Sequence, residues 1–145
     1  MRHEVRVHRS AERLPRDAQL AWKIAEVAAG AEALDDDVLE LVRCRIVDNA
    51  GVALAAINRA PVAAARAMAL AHPRRRGASL FGLPPALLVD AEWAGWANAV
   101  AVRELDFHDT FLAADYAHPG DSIPPLLAVA QQTGRSGADL VRAIP

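Results

Sequence analysis

The sequence predicts an all-α protein, an array of five to six helices joined by short connections. Apolar residues recur at three- and four-residue spacing through most of the chain. Proline, glycine, serine and aspartate fall where such helices would begin and end. No repeated strand signal competes with that pattern. A chain of 145 residues suffices for one core that needs neither disulfide nor metal.

Residues 1–14 alternate charge with small apolar residues and read as an extended arm, in which Val5 and Val7 are a weak strand signal. The helical domain takes residues 15–145. Pro15 suits a first turn, and Leu20, Ala21, Ile24, Val27 and Ala28 form a stripe that Gly30 ends. Asp35, Asp36 and Asp37 supply a cap and negative charge for a long second helix reaching Ile57. The second half of that helix, AGVALAAI, is apolar nearly all round, which calls for burial among other helices. Cys44 lies in its apolar pattern and is expected in the core.

Asn58 and Pro61 separate a third helix, PVAAARAMALAH, which ends before Pro73. GASLFG reads as a short connection or strand, and LPPALLV is ambiguous. Asp90 caps a fourth helix that places Trp93, Trp96, Ala97, Val100 and Ala101 on one face, and these tryptophans, with Trp22, read as core anchors. Asp121 or Ser122 caps a fifth helix whose Pro124 and Pro125 occupy its first turn, where N–H groups lack helical acceptors. Gly134 stops it. Ser136 opens a sixth run, GADLVRAI, of about two turns, which needs packing to be stable.

Composition narrows the function. A hydrophobic share of 53% with 23% charged residues excludes wholesale disorder. A net charge of −2, with Arg74, Arg75 and Arg76 the sole basic run, gives no footprint for nucleic acid, and that run reads as a solvated loop. Neither G-x-x-x-x-G-K nor G-x-G-x-x-G occurs. One cysteine excludes an internal disulfide and favours a reduced, cytoplasmic setting. No stretch is apolar enough to span a bilayer, and the N-terminus lacks the apolar centre of a signal peptide, so no membrane partner is expected.

Chemistry gathers in LDFHDTFLAADYAHPGD, Leu105 to Asp121, where four aspartates and two histidines share a loop between two helices. Singly, each acid reads as a cap or turn residue, and HPGD is an ordinary turn. Their density raises the functional reading. Asp106 and Thr110 share a face if the fourth helix continues for one more turn. The imidazole of His118, a group with an unperturbed pKa near 6.5, can accept or donate a proton at neutral pH. A metal-dependent His-Asp hydrolase is an alternative, with His108 and Asp109 as the dyad and Asp106 and His118 as further ligands. It is short of histidines, since His3 and His8 sit in the arm and His72 beside Pro73. No metal is expected.

The stretch VRELDFHDTFLAADYAHPGDSIPPLLAVAQ resembles the signature of the MmgE/PrpD family, and the resemblance extends through WKIAEVA, RCRIVDNAGVALAAI, PVAAARAMALAH, GASLFG and EWAGWANAVAVRELDFHDTF. It implies a cytoplasmic hydro-lyase that removes water from 2-methylcitrate to give 2-methyl-cis-aconitate in propionate catabolism, without an iron–sulfur cluster or other cofactor. Carried over by position, it marks Asp106, Thr110 and His118 as catalytic, with His108 and Asp109 as neighbouring substrate-binding residues. Removing water needs a base for a carbon-bound proton and an acid for the departing hydroxyl. His118 then transfers a proton, Asp106 orients it, and Thr110 bonds a substrate carboxylate or hydroxyl.

Members of that family are much longer and carry a second, α/β domain. The resemblance therefore implies an incomplete N-terminal helical domain of a two-domain fold, forming a homodimer or associating with the remainder of the enzyme. Four aspartates would repel a tricarboxylate, so cations from elsewhere are required. For the chain by itself, the alternative is a catalytically silent helical fragment that packs or dimerises.

Overall fold

A computed structural model describes residues 6–30, 34–112 and 116–144. The chain forms two compact units, Met1–Ala33 and Leu34–Pro145.

In the first unit a 3-10 turn, Arg16–Ala18, precedes helix α1, Leu20–Ala29. The Gly30 N–H returns to the Val27 carbonyl and closes the helix. Trp22 is not a core anchor: the Arg16 guanidinium lies 4.5 Å over its ring, and its Nε1 donates to Glu26 at 3.2 Å. Val7 is exposed and lies in no strand, while Val5 falls outside the described residues.

The second unit is mostly α, as the helical periodicity requires. It holds α2 (Asp36–Ala55), α3 (Ala60–Leu70), α4 (Ala91–Arg103), α5 (Ile123–Thr133) and α6 (Gly137–Ala143). Two small antiparallel sheets join them: β1 (Pro73–Ser79) with β2 (Leu88–Val89), and β3 (Phe111–Leu112) with β4 (Tyr116–Ala117). The arginine run lies in β1, not in a loop, and Arg74 reaches Asp90 at 2.6 Å. β1 is irregular: both Pro73 and Ala78 face Val89, so the chain bulges between them.

Helix α4 is the centre of this unit and packs against α2, α3 and α5. Small residues make that possible. Ala91, Ala94, Gly95, Ala97, Asn98, Ala101 and Val102 are its buried positions. A Cβ on Gly95 would stand 3.1 Å from Pro125 Cα, which measures how closely α4 and α5 approach. Ala65, Ala69, Ala78 and Ala128 complete one core cluster with Leu80 and Val89, and Ala53, Ala56 and Val62 pack with Ala101 and Val102 in another. Trp93 is partly buried and packs against the edge of the first cluster, so it serves in part as the expected anchor. Trp93 also stacks on His72 with centroids 4.1 Å apart, whereas Trp96 is exposed, edge-on to Trp93, and is no core anchor.

Polar side chains also tie the elements together. Buried Asn98 accepts from the Phe81 N–H at 2.9 Å and donates to the Ser79 carbonyl at 3.0 Å, which ties α4 to the end of β1. Gln132 accepts the Ala91 N–H at 2.8 Å and fixes α5 to the start of α4.

Two expectations fail for one reason. AGVALAAI is not enclosed: Ala53 and Ala56 are buried, whereas Gly51 and Leu54 are exposed, because α2 meets its neighbours along one side only. Cys44 is likewise exposed rather than core, its Sγ 3.9 Å from Glu40 Oε1. Among the described residues, no helix is long and apolar enough to cross a membrane.

Candidate functional site

Helix α4 stops at Arg103, and the chain then turns through Asp106, whose φ of 55° is left-handed. Aspartate tolerates that region better than most residues do. The turn corrects one expectation, since Asp106 and Thr110 do not share a helical face. The β3–β4 pair supplies the convergence instead. Its register, Phe111 with Ala117 and Leu112 with Tyr116, brings the residues before β3 beside those after β4. Thr110 thereby meets His118.

His118 Nδ1 stands 3.0 Å from the Asp109 carbonyl oxygen and 3.4 Å from Thr110 Oγ1. A carbonyl can only accept, so Nδ1 carries a proton, and in the neutral ring the lone pair is on Nε2. The second imidazole lies edge-on: the His108 and His118 centroids are 4.5 Å apart, with planes at 74°. His108 has only 4% of its side chain exposed, and the Arg103 guanidinium donates to its Nε2. Its proton is therefore on Nδ1, where it finds no hydrogen-bond partner; Asp106 Oδ1, at 3.8 Å, is too distant. The Asp106 side chain is 90% exposed.

Asp109 is held on both oxygens. Oδ2 takes the Arg45 guanidinium at 2.5 Å, and Oδ1 accepts the Gly120 N–H at 2.9 Å. The carboxylate is 8% exposed and the guanidinium 17%, so neither is screened as a surface pair would be. Arg45 also donates to the Thr110 carbonyl at 3.4 Å. Beside it, fully buried Asn49 donates to the Arg45 carbonyl at 2.8 Å, with its Oδ1 turned to Gly120 and unpartnered.

The cluster thus unites the turn after α4, the β3–β4 pair and the 3-10 turn Pro119–Asp121 with helix α2. Sequence reasoning missed the contribution of α2, because it singled out neither Arg45 nor Asn49, which lie more than fifty residues before the loop. Their signal was polarity on an otherwise apolar face. The charge balance also differs from expectation: Arg45 and Arg103, both from this chain, pair with Asp109 and Asp121. Asp115 lies outside the described residues. Among the described residues, no three His, Cys, Asp or Glu side chains are placed to hold a metal ion.

Fold and site together define a mostly helical domain that brings two imidazoles together in the loop between two of its helices. A family model described as the MmgE/PrpD N-terminal domain matches residues 18–145. The chain belongs to the MmgE/PrpD family, which includes dehydratase-type enzymes.

Proposed function

We propose that this protein acts in the dehydration of 2-methylcitrate to 2-methyl-cis-aconitate, as a cytoplasmic hydro-lyase of the 2-methylcitrate dehydratase type. The observation that carries this reading is His118, tied through Nδ1 to the Asp109 carbonyl and left with a basic Nε2. Nε2 takes the proton from the substrate carbon next to a carboxylate, the freed electron pair forms the double bond, and the carbon–oxygen bond breaks. The departing hydroxyl takes its proton from a separate acid and leaves as water. Thr110 bonds a carboxylate or the hydroxyl, and Asp106, 3.8 Å from His108 Nδ1, adds a negative charge at the exposed edge of the histidine pair. Arg103, 44% exposed beside His108, is the cation best placed to meet a substrate carboxylate.

Exposed Val47, Leu54, Phe107 and Leu112 favour a second reading, in which the chain works by packing on another copy or on further parts of the enzyme. One experiment separates the two. Purified protein is mixed with 2-methylcitrate, and the ultraviolet absorbance of the new conjugated double bond is followed. The lyase reading expects absorbance to rise. A flat trace would withdraw it in favour of the packing reading, which in turn requires concentration-dependent association in sedimentation.

A further inference from the structure

We infer that Arg45 and Asp109 form a clasp that sets the tautomer and position of His118, and that Arg45 is a positioning residue for the proton transfer. Arg45 stands on α2, 64 residues before Asp109 in the chain, and bridges two points of the loop: the Asp109 carboxylate and the Thr110 carbonyl. The carboxylate it holds receives the Gly120 N–H, two residues beyond His118. The carbonyl of the same Asp109 receives the His118 Nδ1–H. One residue therefore grips the imidazole by its main chain and the turn behind it by its side chain. Arg45 keeps that residue in place.

Charge explains why an arginine is needed. A carboxylate this enclosed is costly to leave unpaired, and the planar fork of a guanidinium reaches two acceptors where an ammonium is a point charge.

The catalytic half of this inference rests on the dehydratase reading; the structural half does not. Both are tested by comparing the wild type with Arg45→Ala, Arg45→Lys and Asp109→Asn. Long-range proton–nitrogen spectra report the His118 tautomer without reference to activity. They should show Nδ1 protonated in the wild type and a tautomer mixture in Arg45→Ala. For turnover of 2-methylcitrate, kcat should fall on the order of 10²-fold in Arg45→Ala with KM little changed, and Arg45→Lys should recover part of the loss. If Arg45→Ala does not unfold cooperatively, Arg45→Lys and Asp109→Asn provide the same comparison, each with a shifted tautomer expected.

An unchanged His118 signature in the variants would overturn the clasp. A changed signature with undiminished kcat would overturn the positioning role. An inactive wild type would remove the dehydratase reading, and the spectra would still decide whether Arg45 holds His118.

Discussion

Gly120 is a glycine because of what surrounds it, since its backbone is not left-handed. A Cβ there would run into Asn49 Oδ1 and stand 3.1 Å from both Asp109 Oδ1 and Val102 Cγ1. Gly120→Ala must therefore push the turn away from α2, at an expected cost of about 1–3 kcal/mol read from urea unfolding. Stability equal to the wild type would mean that α2 and the turn are not in contact. At this scale the sequence was legible in part. The density of aspartates and histidines between Leu105 and Asp121 marked the loop, and the resemblance selected Asp106, Thr110 and His118 within it. Arg45 and Asn49 were not legible, because helical periodicity assigns a residue to a face but says nothing of the loop that face meets. The conformation of Asp106 was hidden too, as no residue type around it announces a left-handed turn.

Among the elements, α4 shows what local signals can and cannot fix. Its start was readable from Asp90, whose carboxylate accepts the Glu92 N–H at 3.2 Å. The Arg74 guanidinium, and then that N–H, hold the Asp90 carboxyl below its usual range. A carboxyl with a lowered folded-state pKa stabilises the fold above its unfolded value, and the contribution is lost as pH falls through the folded value. Asp90→Ala should accordingly lower the thermal midpoint at neutral pH, with the gap to the wild type closing in acid below the ordinary carboxylate range. A gap that stays constant with pH would rule out the ionised cap.

The packing of α4 was less readable. Its tryptophans promised core anchors, but only Trp93 packs against the core, from its edge, while the helix seams are filled by alanines and Gly95 and Trp96 is exposed. Gly95→Ala tests that proximity: its new methyl would stand 3.1 Å from Pro125 Cα and 3.3 Å from its Cβ, so α5 must shift by a few tenths of an ångström, and about 1–3 kcal/mol of stability should be lost. A gain, as helix propensity alone would bring, would show that α4 and α5 stand further apart. The ends of α5 and α6 were plain from sequence for the same reason as Asp90. Gly134 takes the left-handed conformation, and Ser136 and Asp139 cap each other reciprocally, both being signals contained within a few residues.

Taken whole, the molecule joins a helical scaffold built on small residues to one loop where its chemistry is concentrated. The scaffold matters to function because α2 and α4 approach the loop from two sides and fix its acids with arginines of the same chain. The anticipated surplus of negative charge is thus partly cancelled within the site. In the proposed reaction, proton transfer centres on His118 Nε2. The most direct measurement is kcat for 2-methylcitrate dehydration by the wild type and by His118→Gln, each checked for cooperative unfolding. Loss of the base should lower kcat by about 10²–10⁴-fold. Equal turnover by the two proteins would contradict His118 as the proton acceptor.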